Sequence, residues 1–427
     1  MSYSFETSPT TEQERRRGMV ILFCGLMVVG MGQTLFNAVL PPIARTFGMT
    51  EVQTSLIFAL SAVMWMLMSP VWGRMSDRVG RKPIIITGIL GFGVSTLSFS
   101  VVIWAGLQGL LTGLGLVLAF IAARTIFGVF GSGTMPAANA YIADRTSRQD
   151  RSAGVARIAA AFGVGIVIGP MIAGTLLSFG TLVPFLTVAA LALIAGGTVF
   201  FLLPERSKPH AMARGMPRAR MRYFDRRILP IVVISLAVAF SQAIEVQAIG
   251  FYFMDRLGFS AEEASSYIAV GFAMMGLAGL VAQFVIIQHF NITVQAMMRW
   301  GAILGILTFV ILALTADFGM AILALMLSGF GFGLLRPGLS SAASLIVEPD
   351  EQGAVAGVIA STAAVGHVLN PIIGMPLYEI DPRLPFALAA GLLSLCLLVV
   401  IMHPRIRSVR VEDDDAPPPI KPPEQHG

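Results

Sequence analysis

Residues Gly73–Pro83 read GRMSDRVGRKP. Between two long apolar runs this stretch sets the bases Arg74, Arg78, Arg81 and Lys82 beside a single acid, Asp77. Charge of this density cannot enter hydrocarbon, so the stretch reads as a polar hairpin between two membrane helices, with Gly73 and Gly80 expected to bracket its turn. Composition agrees. Charged residues are 12% of the 427 and apolar ones 56%, where a soluble domain carries roughly a quarter charged; mean hydropathy is +0.79.

Working outward from the hairpin, runs long enough to cross about 30 Å of hydrocarbon recur along the chain. They fall at 18–41, 54–72, 84–105, 116–142, 153–177, 181–203, 228–253, 265–288, 299–315, 320–345, 354–377 and 384–402. The expected fold class is therefore all-α: twelve transmembrane helices, with no alternating barrel pattern. The first run, with Gln33, Asn37 and Pro41, is too long and too polar for a cleaved secretion signal. Arg45, Arg256 and Arg383 are the only bases on one set of alternate loops. Apart from the intramembrane Arg124 and Arg336, the rest lie on the other set. This asymmetry places both termini in the cytoplasm of a multi-pass protein of the cell (inner) membrane. It also accounts for the net charge of +5 without nucleic acid.

The expected division is a cytoplasmic segment 1–17, a six-helix lobe 18–203, a basic linker 204–227, a second six-helix lobe 228–402, and a charged, proline-rich, disordered tail 403–427. Cys24 and Cys396 sit inside spans and suggest neither disulfide nor metal. Asn291 opens a glycosylation pattern on the cytoplasmic side, where it has no use. No GxGxxG, Walker loop, HExxH or GxSxG is present, so no cofactor, ATP site or hydrolytic centre is expected, and any energy that is used must come from a gradient.

The halves repeat. AAFGVGIVIGP, ending at Pro170, aligns with STAAVGHVLNP, ending at Pro371, and Pro136 aligns with Pro337 at the same offset. TFGMTEVQTSLIFAL from Thr46 matches RLGFSAEEASSYIAV from Arg256 in polarity, which sets Asn37 against Gln247. Two parallel repeats predict a binding cavity between lobes near mid-membrane.

Along essentially all its membrane region the chain resembles the major facilitator superfamily. Gly73, Asp77, Arg78, Gly80, Arg81 and Lys82 match the signature between helices 2 and 3. RTIFGVFGSG from Arg124 resembles the helix-4 motif, and AYIADRTS at the end of helix 4 is similar to tetracycline and multidrug exporters. GVGIVIGPMIAG from Gly163, with Gly165, Gly169, Pro170 and Gly174 in register, is similar to the antiporter motif of the drug/proton branch. The resemblance implies proton-coupled efflux of small amphipathic molecules by alternating access, with the bilayer, a small-molecule substrate and protons as partners and a monomer as the usual form. It further implies that Asp77 reaches the start of helix 11, near Ala354, and that Arg81 pairs with Asp144. A proton-coupled importer or a uniporter would share the architecture. A membrane receptor or enzyme on the same scaffold is a remote alternative.

Intramembrane charge is costly, so each instance is a functional candidate. Glu245 is the sole carboxylate deep in a span, which makes it the proton-carrier candidate, or else the structural partner of Arg336. Arg124 and Arg336 occupy similar places in the two halves and join Glu245 as proton-coupling candidates, or orient substrate, or cap carbonyls. Gln33, Asn37, Gln242, Gln247, His367 and Asn370 are the polar candidates for the cavity wall. Helix 1 carries amides where the resembled branch often carries an acid. The small residues of the helix-5 motif, with Pro170 bending the chain, allow close helix approach, with or without a gating role.

Overall fold

The computed structural model describes residues 12–146, 151–204, 225–290, 292–348 and 351–403. Twelve helices among them are long and apolar enough to cross a membrane. They are α1 Glu12–Thr46, α2 Glu51–Val79, α3 Arg81–Leu107, α4 Gly113–Ala143, α5 Arg151–Leu177, α6 Val183–Leu202, α7 Leu229–Asp255, α8 Ala261–His289, α9 Val294–Leu314, α10 Phe318–Ile346, α11 Gln352–Ile380 and α12 Leu384–Met402. Each expected span coincides with one of them. Many helices run past hydrocarbon length, because hydropathy fades at the first polar residue whereas the helix continues to its cap in water. Thr50 and Ser260 form capping boxes with Gln53 and Glu263 ahead of α2 and α8, and Asp317 caps α10.

Residues 12–17, expected in the N-terminal segment, are the first turns of α1. The rest of that segment, linker residues 205–224, Asn291 and tail residues 404–427 lie outside the described residues. Gly73 also differs from expectation. It lies inside α2, and Gly80 alone makes the turn, at φ 105°, a backbone conformation that needs no Cβ. Apolar side chains such as Leu118, Ile194, Phe201 and Leu395 project outward, as a lipid-facing surface requires.

The second half repeats the packing of the first. Helix α1 lies on α5 as α7 lies on α11; α2 on α4 as α8 on α10; α3 on α6 as α9 on α12. The halves meet where α2 packs on α11 and, symmetrically, α5 on α8. Aromatic rings knit each half separately. Phe99 stands 4.8 Å from Phe36 and 4.6 Å from Phe120 in the first, and Phe386 stands 5.4 Å from Tyr252 in the second.

Polar groups in lipid need partners within the protein, and those partners set the register. Ser95 donates to the Ala123 carbonyl at 2.7 Å between α3 and α4; Thr308 donates to the Ala324 carbonyl at 3.1 Å between α9 and α10. Gly128 abuts the Ser61 carbonyl and Met64 of α2, and Gly329 the Met275 carbonyl and Ala278 of α8. The α4 and α10 members of these contacts, Ala123 with Ala324 and Gly128 with Gly329, keep the offset of Pro136 and Pro337. A second, inverted relation links helices α4–α6 to α7–α9. Tyr141 and Arg145 donate to the Pro204 carbonyl at 2.7 and 3.3 Å, and Tyr252 and Arg256 to the Thr315 carbonyl at 2.7 and 3.1 Å. The same four-residue spacing thus closes a helix C-terminus on opposite faces of the bundle, the mark of an inverted-topology repeat.

Candidate functional site

Between the halves lies a cavity of about 250 Å³. Helix α1 supplies Gln33 and Asn37, α2 supplies Phe58, Ser61 and Trp65, α4 supplies Arg124 and Phe127, and α11 supplies Ala360, Ala363, Ala364 and His367. Gln33 and Asn37 reach it together because residues four apart share a helix face. Arg124 is buried, donates through Nη2 to Gln33, and lies over Phe36 and Phe127 with Cζ 4.1 and 4.8 Å from the ring centroids. Its Nε and Nη1 have no hydrogen-bond partner. Ser61 ties α2 to this helix through the Arg124 carbonyl at 3.1 Å.

On the side away from the chain termini the cavity is roofed. The Ser55 hydroxyl donates to Gln247 Oε1 at 2.5 Å, Asn370 Nδ2 donates to the same oxygen at 2.9 Å, and Gln247 Nε2 lies 2.8 Å from His367 Nδ1. With Oε1 accepting twice, Gln247 Nε2 is the donor to His367, whose Nδ1 therefore carries no proton. This network joins α2 of the first half to α7 and α11 of the second. Above it, Arg45 Nη2 binds Glu51 at 2.5 Å and Asp255 at 2.8 Å, and Tyr378 donates to Asp255 at 3.0 Å. The Arg45 guanidinium also lies 5.0 Å from the Phe251 ring centroid.

The side of the termini is different. Arg81 binds Asp77 at 2.5 Å and Asp144 at 3.1 Å, all within the first half. Arg227 binds Asp225 at 2.9 Å and Glu351 at 2.8 Å, tying the end of the linker to the start of α11 in the second half. Arg227 is the largest influence holding the Glu351 carboxyl below its ordinary pKa. A Cβ added at Gly353 or Gly357 in the first turns of α11, or at Gly73 in α2, would meet nothing within 4 Å. Arg78 is exposed beside this gap, and Lys82 is half-buried at the start of α3. The cavity is therefore closed at one face and flanked by open space at the other.

Several expected placements are corrected. Gln247 and Asn370 are buried in the roof, and half-buried Gln242 is also absent from the cavity lining. Glu245 is fully buried and likewise off the lining; Ser328 of α10 donates to its Oε2 at 2.7 Å, and Oε1 has no partner. It makes no pair with Arg336. Arg124 and Arg336 are not equivalent either: the offset of the Ser95 and Thr308 bonds puts Leu325, about three turns before Arg336, opposite Arg124. In α5, Gly165 and Gly169 abut the α1 backbone at Met27 and Met31, within the same half, whereas Gly174 faces Ala269 of α8 across the interface. Pro170 lies inside that helix.

Ser55, Ser328, Trp65 and the Arg45 bridge were not anticipated. A serine in an apolar helix more often bonds its own turn, so nothing local flags one that crosses helices.

A single family description matches the chain across residues 22–294 and 292–425: Major Facilitator Superfamily. The chain belongs to this superfamily. Among the proteins it is similar to, Multidrug resistance protein 1 of Bacillus subtilis (strain 168) is 28% identical over 388 residues, 90% of this chain and 95% of that protein. The quinolone resistance protein NorA of Staphylococcus aureus (strain COL) is 22% identical over 392 residues, 91% and 97% of the two chains. The fold is similar to that of a bacterial homologue of the human lysosomal transporter Spinster solved in an inward-facing, unoccupied conformation. The TM-score is 0.70 at 15% identity, with 93% of this chain and 96% of that one covered. A superfamily transporter of this architecture is a multi-pass membrane protein that moves small molecules and is not an enzyme.

Proposed function

We propose that this protein is a monomeric, proton-coupled exporter of small amphipathic molecules in the cell (inner) membrane, with both termini in the cytoplasm. One observation carries the reading. The cavity is walled by both halves, roofed on one side by bonds that cross between them, and flanked on the other by open space at Gly73, Gly353 and Gly357. That is the geometry of a site reached from one side at a time. The names of the two resistance relatives support export as the direction and drug-like compounds as cargo.

The units that rock are the six-helix lobes 18–203 and 228–402, joined by the linker 204–227. Asp77, Arg81 and Asp144 form a latch that engages the start of α11 when the cavity opens outward; α5 and α8 slide past one another at Gly174. Glu245 carries the proton. With Oε1 unpartnered, its carboxyl can gain or lose a proton there without breaking its bond to Ser328. Each step needs a ligand that favours one state over the other, substrate in one direction and proton in the return.

The test is made in proteoliposomes of the full chain with an imposed pH gradient. Uptake of a fluorescent amphiphile against its own gradient into vesicles made acidic inside, abolished by a protonophore, is the expected result. Movement only down its gradient, indifferent to the protonophore, would overturn the reading in favour of a uniporter.

A further inference from the structure

Near their middles the described membrane spans hold one carboxylate, Glu245, and two guanidiniums, Arg124 and Arg336, and the three are kept apart. Glu245 bonds Ser328 and neither arginine. Arg124 has no anion partner: Nη2 goes to Gln33, and Nε and Nη1 donate to nothing. Arg336 makes no hydrogen bond or ion pair with any described residue and is exposed. Its place on α10 is informative. Ser340 and Ser344 follow it at four-residue intervals on the same face, while exposed Leu345 lies on the opposite face, as a residue turned to lipid should. Arg124 and His367 line the cavity, and Arg336 is exposed on the face of α10 turned away from lipid, so each half contributes a cation that faces the interior of the bundle. Beside Arg124 and His367 the lining holds Phe58, Trp65 and Phe127, and no acid.

An unpaired guanidinium in a membrane protein is expensive and is ordinarily matched by an anion. No described residue supplies one. We infer that the transported molecule does: its carboxylate or other anionic group docks at Arg336 and Arg124, while its apolar body lies against Trp65, Phe127 and Phe58. This rests on the cavity being the transport site and names its substrate class, an organic anion or a zwitterion with an accessible anionic group. Arg336, exposed and unpartnered, is the first contact. Arg124, braced by Gln33 and two rings, is the second. Guanidinium and carboxylate match in planar, charge-assisted geometry, which supplies orientation as well as affinity.

The experiment compares three probes sharing one ring system, 2-naphthoate, 2-naphthamide and 2-naphthylmethylammonium. Equilibrium binding to the purified full-length protein is measured first, and pH-driven transport in proteoliposomes second. Naphthoate should bind about tenfold more tightly than the amide and the cation. Arg336→Gln should shrink that preference toward unity without changing amide binding, and Arg336→Lys should restore part of it. If Arg336→Gln does not yield a folded protein, Arg336→Lys alone still tests the idea, through a reduced preference with unchanged amide affinity. Cation binding equal to or tighter than naphthoate in the wild type, or a preference that survives Arg336→Gln, overturns the inference. Naphthoate preference without uphill transport leaves the inference standing and overturns the exporter reading; uphill transport of the cation alone does the reverse.

Discussion

At the scale of single residues the informative group is Glu245. A carboxylate with one hydroxyl partner and no cation is a poor structural element, because its burial is offset by a single hydrogen bond of about 1.5–3 kcal/mol. Glu245→Gln keeps the shape and an oxygen for Ser328 to donate to. It should leave the melting temperature within a few degrees of wild type while abolishing substrate-driven pH change in vesicles. A variant that melts far lower, or still moves protons on adding substrate, refutes the carrier role. Charge rarity was enough to single out this acid from the chain alone. That it faces α10 instead of the cavity was not legible, because the facing direction depends on which helix α7 meets.

Among elements, α5 shows how small residues divide their work. Gly165 and Gly169 let α1 approach so closely that an added Cβ would strike backbone, which cannot yield as a flexible side chain would. Gly169→Leu should therefore prevent folding or abolish transport, and size-exclusion chromatography with an uptake assay separates the two. At Gly174 the neighbour is the Ala269 Cβ at 3.2 Å, across the halves. Gly174→Leu should fold, wedge α5 from α8 at the roofed face, and raise outward accessibility, read by labelling of a cysteine placed at Asn37 on the cavity wall. Unchanged labelling would mean that this contact does not gate. The loop between α2 and α3 belongs to the same scale. Asp77→Asn removes one anion from the latch, worth about 0.3–1 kcal/mol at a helix N-terminus, so transport should fall by roughly two- to fivefold with membrane insertion intact. Normal transport by the correctly inserted variant would remove the latch.

For the molecule as a whole, the balance between the two open states is held at the roof. Arg45 links α1 to Asp255 of α7, but both partners are about one-third exposed, at 34% and 31%. A pair so hydrated contributes up to about 1 kcal/mol. Arg45→Ala should shift the population toward the outward-open form by no more than about fivefold, measured as a distance distribution between spin labels on the α1–α2 and α7–α8 loops. A complete switch would show that the buried Ser55, Gln247 and Asn370 network contributes little to closure, contrary to its burial and its three shared bonds.

Twelve helices, their alternation across the bilayer, the doubled architecture and the hairpin at Asp77 were determined by the sequence itself. Apolar length and loop charge act locally, through transfer free energies that each segment experiences alone. Only the tertiary structure decided that Gln247 and Asn370 seal while Gln33 and His367 line, that Arg124 and Leu325 are counterparts, and that Arg336 stands without an acid. Those facts depend on helix rotation and register, which are set by contacts such as Ser95 to Ala123 and Gly128 to Ser61 between segments far apart in the chain.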